Sequence, residues 1–320
     1  MKIGFIGLGN VGAKLAGSLL RNGHDLTVRD LDREAAQGFL DAGAAWGESP
    51  AQMTADCDVV ITCLPSPAAS AEVVEGADGV LEAMAPGKIW AEMSTTDEAE
   101  VKRLGAQVVA KGGDAVDCPV SGGCHRAATG NIAIFAGCRR DVFERMLPVL
   151  TTMGRRILHT GELGSASVLK VITNYLATAN LITCCEALVT AKAAGMDLAA
   201  TYEAIRISSG NSFVHETESQ VILNGSRDIN FTMDLVQKDI GLFQAIADRA
   251  GVPLEMNPLM IDIFADGSQR FGARAFSPDI IRRLEEATGI DVRAPGFPAE
   301  IIDDEPEMPG YEVAPGRGSN

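Results

Sequence analysis

Three hundred and twenty residues exceed one ordinary domain, and 46% hydrophobic with 22% charged residues suits packed cores rather than a disordered chain. The formal net charge of −16, from 43 acidic and 27 basic residues, repels phosphate backbones and anionic lipid, so neither nucleic acid nor membrane is an expected partner. The seven cysteines form no CxxC pair, and the four histidines match no zinc spacing. No metal site is expected, and the cysteines read as small hydrophobes of a reducing, cytoplasmic compartment. The chain runs from Met1 straight into strand-like sequence, so no signal peptide is expected. Its longest uncharged stretch, 171–185, falls short of a membrane span.

Residues 2–6 predict a strand that meets glycines. Residues 10–21 predict a helix with Val11, Leu15 and Leu19 at helical spacing. A strand over 25–28, a helix over 31–40 and a buried strand over 58–63 follow. Next come a strand over 88–91 and a polar helix from Asp97. This alternation predicts an α/β fold: an N-terminal Rossmann domain, with a doubly wound parallel sheet that binds ligands at the carboxyl ends of its strands. Residues 164–194 then read as one long helix whose only charges are Lys170, Glu186 and Lys192. A helix apolar nearly all round belongs at the centre of an all-α domain. Shorter helices are predicted near 198–207, 213–223, 234–249, 256–269 and 277–287. The expected division is a dinucleotide-binding domain over 1–162, an all-α substrate and oligomerisation domain over 163–292, and an acidic, Pro-rich tail over 293–320. Residues 300–320 hold six acids and one base.

Gly7-Leu8-Gly9-Asn10-Val11-Gly12 fits G-x-G-x-x-G between a strand and a helix. The first glycine permits a tight turn, the second lets backbone approach a pyrophosphate, and the third lets helix and strand pack. Asp30 ends the second strand. Its carboxylate suits the ribose hydroxyls and repels a 2′-phosphate, which favours NAD over NADP, although Arg29 and Arg33 stand close by; the plainer alternative is a helix N-cap. In Asp117-Cys118-Pro119-Val120-Ser121-Gly122-Gly123, a serine before two glycines suits either a small-anion cradle or a simple turn. Lys170 and Asn174 lie four residues apart on one face of the long helix. A desolvated lysine suits proton transfer near neutral pH; the alternative is a snorkelling lysine beside a core asparagine.

In these motifs the chain resembles the β-hydroxyacid dehydrogenases, a family that includes 3-hydroxyisobutyrate dehydrogenases and tartronate, glyoxylate and succinic semialdehyde reductases. The resemblance spans roughly 1–290. It rests on the Gly7–Gly12 turn, on Glu92-Met93-Ser94-Thr95 (like D-x-S-T, with Glu for Asp), and on the Asp117–Gly123 run. It rests further on Gly161 and Gly164 leading to Lys170 and Asn174, and on Phe231 with Lys238-Asp239. The resemblance implies hydride transfer between a nicotinamide cofactor and a small 3-hydroxy acid or its semialdehyde, in a homodimer or homotetramer. It implies that Gly7, Leu8, Gly9, Asn10, Val11, Gly12, Asp30, Leu64, Pro65, Thr95, Phe231 and Lys238 serve the cofactor, with Asp239 as the structural partner of Lys238. Ser121, Gly122 and Gly123 would hold the substrate carboxylate, Asn174 would orient the reacting oxygen, and Lys170 would move the proton. Arg126 stands where the family commonly has glycine. Arg126 or His125 either reads an extra anionic or polar group or faces solvent. Asn211 either bonds a substrate hydroxyl or caps the helix from Phe213. A reductase of tartronate, glyoxylate or succinic semialdehyde is one alternative function, and a catalytically silent NAD-binding module is another.

Overall fold

The computed structural model describes residues 1–314. The chain divides into two compact units, one comprising Met1–Lys170 with the chain from Asp303, the other Val171–Ile302.

The first unit opens with β1 (Lys2–Ile6), α1 (Gly12–Arg21) and β2 (Asp25–Arg29). The predicted helix over 31–40 is a 3₁₀ turn at Arg33–Ala36 running into α2 (Gln37–Asp41). Then come β3 (Ala45–Trp46), α3 (Pro50–Asp56), β4 (Val59–Thr62), α4 (Pro67–Glu75), β5 (Ile89–Glu92), α5 (Glu98–Ala110), β6 (Asp114–Asp117) and β7 (Val120–Ser121). The unit continues through α6 (Gly123–Ala128), β8 (Ala133–Gly137), α7 (Arg140–Met153) and β9 (Arg156–Gly161) into α8 (Ser165–Ala193). Two helices begin at Ser-Pro pairs: Ser49 and Ser66 accept the N–H groups of Gln52 and Ala69, with proline in the first turn.

The second unit holds the rest of α8, then α9 (Leu198–Arg206), α10 (Phe213–Asn224), α11 (Met233–Ala250), α12 (Met256–Phe271), a 3₁₀ turn at Ser277–Ile281 and α13 (Arg282–Thr288). Asp197 and Ser212 cap α9 and α10 at their N-termini, and Gly225, Gly251 and Gly289 end α10, α11 and α13 in the left-handed region. Its core gathers Leu181, Cys185 and Leu188 of α8 with Ile222, Met233, Ile240 and Phe264. By length and composition α8 could cross a membrane, and its most apolar stretch is 33% buried, while Leu181, Cys185 and Leu188 are part of this core.

After Ile302 the chain rejoins the first unit and ends its described part with β10 (Tyr311–Glu312). The ten strands follow the order β10-β9-β8-β6-β5-β4-β1-β2-β3, with β7 paired to β8. β1 through β6 are parallel, the 3-2-1-4-5-6 order of a Rossmann sheet. The expected parallel sheet is thus mixed: β8 runs antiparallel to β6 and β7. The chain turns back there through only the short α6, too little for the right-handed crossover that a parallel neighbour requires. Strand alternation divides the core. Ile3, Phe5, Val59, Ile61 and Ile89 pack on one face, and Ile6, Val60 and Trp90 on the other, so the central strands are apolar on both sides. Residues 303–314, expected as part of a tail, are extended but packed on this unit, while Arg317 lies outside the described residues.

Candidate active site

Gly7 leaves β1 at φ +100°, and a Cβ there would stand 2.3 Å from the Cys63 carbonyl oxygen. A Cβ on Gly12 would stand 2.0 Å from the Gly7 carbonyl oxygen. Both positions need glycine for packing. Gly9 differs, because among the described residues nothing lies within 4 Å of where its Cβ would be. The backbone there faces open space, as close approach of a pyrophosphate requires. α1 starts beside it with no side-chain cap and no acid in its first turn, so its positive end faces the same space. Leu8 is buried, Val11 half-buried and Asn10 exposed. This cradle fits a dinucleotide.

Asp30 closes the cradle at the end of β2. One carboxylate oxygen accepts the Leu8 N–H at 2.6 Å and the other accepts the Asp32 N–H at 3.0 Å. Asp32, not Asp30, caps the following turn. Each Asp30 oxygen keeps a second lone pair for a ligand hydroxyl. Arg29 donates to the carbonyls of Gly47 and Glu48 at 2.8 and 2.6 Å, and Arg33 lies over the Trp46 ring, 4.8 Å from its centroid. Both arginines are thus engaged with the chain around β3.

At the ends of β4 and β5, the Leu64 N–H donates to Ser94 Oγ at 2.7 Å. Ser94 in turn gives its N–H, at 2.8 Å, and its hydroxyl to one oxygen of Glu92. Glu92 is fully buried, which pushes its carboxyl up despite these hydrogen bonds. The longer glutamate thus ties the loop carrying Leu64 and exposed Pro65 to the one carrying half-buried Thr95.

Asp117 ends β6 and anchors the start of α8. One of its oxygens accepts the Gly164 N–H at 2.7 Å, and the other accepts the Ser167 N–H at 2.7 Å and its hydroxyl at 2.9 Å. Burial pushes the Asp117 carboxyl up while these donors pull it down. Four residues after Asp117, Ser121 precedes Gly122 and Gly123, which adopt φ +129° and +84° and open α6. Two side chains of α6 fold over this turn. Arg126 Cδ comes within 3.4 Å of where a Gly122 Cβ would stand, and the His125 ring within 2.7 Å of that position on Gly123. Burial pushes the His125 imidazole down, and the Arg126 charge adds to the effect.

Lys170 stands on α8 one turn beyond Ser167 and is only 8% exposed. Asn174 follows one turn later on the same face. Within the second unit, Asn174 Nδ2 donates to Asp239 at 2.5 Å, and the other oxygen of Asp239 pairs with Lys238 at 3.1 Å. Asp239 is 1% exposed, so one buried carboxylate orients both side chains. Its link to Asn174 joins residues 65 positions apart and has no local sequence signal. Phe231 is half-buried against the core of this unit. Asn211 spends its amide on Glu216 at 2.5 Å and its carbonyl on the Ser212 N–H at 2.8 Å, and the cap of α10 is Ser212.

Comparison with known proteins extends these observations. A family profile described as the NAD binding domain of 6-phosphogluconate dehydrogenase matches residues 2–161. A second, described as NAD-binding of NADP-dependent 3-hydroxyisobutyrate dehydrogenase, matches 164–284. The 2-(hydroxymethyl)glutarate dehydrogenase of Eubacterium barkeri is 33% identical over 293 residues, 91% of this chain and 97% of that protein. The human cytokine-like nuclear factor N-PAC is 31% identical over 255 residues, 80% of this chain but 46% of that protein. Among solved structures, a Mycobacterium tuberculosis 3-hydroxyisobutyrate dehydrogenase with L-serine superposes with a TM-score of 0.80 at 28% identity, covering 88% of this chain and 98% of that one.

Proposed function

The chain belongs to the β-hydroxyacid dehydrogenase family, and from that premise we propose that it oxidises a small 3-hydroxy acid, or reduces the matching semialdehyde, with Lys170 as its proton-transfer group. It is an NAD(P)-dependent oxidoreductase acting on hydroxyl or aldehyde groups. The observation that carries the site assignment is Lys170, nearly buried, one helical turn from an Asn174 that Asp239 holds in place.

In this reading a bound nicotinamide would supply the hydride chemistry at the hydroxyl-bearing carbon. The cradle of Gly7, Leu8, Gly9, Asn10, Val11 and Gly12 holds the phosphates, and Asp30 takes the ribose hydroxyls. The free lone pairs of Asp30, its negative charge and the engagement of Arg29 support NAD over NADP. Leu64, Pro65, Thr95, Phe231 and Lys238 border the cofactor, with Asp239 fixing Lys238. Ser121 and the N–H groups of Gly122 and Gly123 hold the substrate carboxylate. Asn174 orients the reacting oxygen. Neutral Lys170 takes the hydroxyl proton in oxidation, and its ammonium returns that proton in reduction. Arg126, folded over Gly122, reads a second anionic group on the substrate. The side chain of Asn211 is engaged by Glu216 and Ser212, which supports no substrate role for it.

Exposed Leu169 and Leu176 on α8 support a homodimer or homotetramer. No cysteine among the described residues is in a disulfide, which supports a reducing, cytoplasmic setting. Lys170 and Asn174 argue against a silent cofactor-binding module. The test is NADH formation from 3-hydroxyisobutyrate, D-glycerate, 3-hydroxypropionate and 4-hydroxybutyrate. Lys170→Ala should lower kcat by about 10²–10⁴-fold, the usual worth of a general base, with NAD binding nearly intact. A mutant with near-normal turnover would remove Lys170 from the mechanism.

A further inference from the structure

The chain from Asp303 to Glu312 runs along the first unit as a strap, and its first residue meets the helix that carries Arg126. One oxygen of Asp303 accepts the Thr129 hydroxyl and, at 2.8 Å, Asn131 Nδ2, while the other takes the Glu305 N–H at 3.4 Å. Asn131 Nδ2 also reaches the Glu305 carbonyl at 2.8 Å. The same two residues follow the end of α6 at Ala128. The Thr129 hydroxyl lies 3.2 Å from the Arg126 carbonyl, to which the Asn131 N–H donates at 2.9 Å. Arg126 and Asp303 are thus linked through one short turn.

The charges of this group act on one another. Burial acts to raise the Asp303 carboxyl, but Thr129, Asn131, the Glu305 N–H and the Arg126 charge outweigh it and hold it below its usual range. Asp303 in turn opposes the downward push on His125. A carboxylate in the field of a cation weakens that cation's pull on any other anion.

We propose that Asp303 is a specificity-determining residue, a counter-charge on the strap that restrains Arg126 and sets how strongly the Ser121-Gly122-Gly123 turn favours a dianionic over a monoanionic hydroxy acid. Asp303 touches neither substrate nor cofactor and acts through Arg126. This rests on the substrate reading proposed above. The strap lies beyond the residues matched by either family profile.

The test pairs two alcohols that share a hydroxymethyl group beside a carboxylate. 2-(Hydroxymethyl)glutarate carries a second carboxylate and 3-hydroxyisobutyrate a methyl group. Asp303→Asn, which keeps the shape and removes the charge, should raise the kcat/KM ratio of the dianion over the monoanion about two- to fivefold at low salt, the range expected of a solvent-screened pair. Asp303→Glu should hold the wild-type ratio. In an Arg126→Gln background, Asp303→Asn should leave the ratio where Arg126→Gln alone sets it. A ratio unmoved by Asp303→Asn, or moved equally with and without Arg126, overturns the proposal and leaves the strap a structural brace. Titrating the same proteins with glutarate and butyrate reads anion preference without turnover. Absence of turnover on both alcohols would therefore count against the substrate class, while these titrations still decide the role of Asp303.

Discussion

Asp239 shows how single residues acquire meaning here. The family resemblance implies that it partners Lys238, with which it pairs at 3.1 Å, but its other oxygen holds Asn174 on a different helix. The reverse holds for Asn211, which stands beside a helix start yet leaves the capping to Ser212. Glu218 of α10 is a third case. Burial pushes its carboxyl up to about 7, although Ser277 Oγ donates to it at 3.3 Å. The folded state therefore favours the protonated acid. That stabilisation is complete below the ordinary glutamate range near 4.5 and is lost as pH rises through 7. Glu218 alone then costs the protein about 3 kcal/mol between these limits. Glu218→Gln should stabilise the protein at pH 8 far more than at pH 4.5. Thermal unfolding at both values measures this, and equal shifts at the two would show that Glu218 titrates normally. Sequence periodicity placed Glu218 within a helix, but its hydrogen-bond partner Ser277 lies 59 positions away.

Elements were legible where their signals are local. The glycine turn, α1, β4 and the long α8 follow from spacing and composition alone. The Ser-Pro starts of α3 and α4 are equally local, yet neither helix is among the elements predicted above. β8 is not among the predicted strands, and alternation would not have given its antiparallel direction in any case. Nor was the strap legible. Six acids among prolines suggest a solvated tail, whereas 303–312 is pinned along its length. Glu307 reaches Arg21 and Asn22, Arg155 donates to the Pro309 carbonyl at 2.7 Å, β10 pairs with β9, and Arg140 grips Glu312 with two nitrogens. Several of these partners are arginines that read as ordinary surface charge until the strap pairs with them. Ending the chain at Ile302 should cost about 3 kcal/mol, since several partly exposed hydrogen bonds and ion pairs contribute a fraction to one kcal/mol each. For a unit of this size that is a Tm drop on the order of 5–10 °C by calorimetry. An unchanged Tm would mean that the strap is not held in solution.

For the whole molecule, linkage offers the most direct check on cofactor choice. NAD⁺ at a hundred times its Kd should stabilise the native protein by about 2.7 kcal/mol. NADP⁺ at that concentration should do less, because a 2′-phosphate would face Asp30 and Asp32 while Arg29 is spent on backbone carbonyls. Equal shifts in Tm would remove the NAD preference. The sequence by itself determined the alternation of the early strands and helices, the glycine turn with Asp30 beyond it, and the Lys170–Asn174 face, because each is encoded within a few turns of chain. It also placed nearly a third of the acidic excess at the C-terminus. Only the tertiary structure decided that Asp117 anchors α8, that Asp239 joins Asn174 to Lys238, and that Asp303 lies in the field of Arg126. Each of these joins residues 47 to 177 positions apart, and no periodicity or local propensity extends that far.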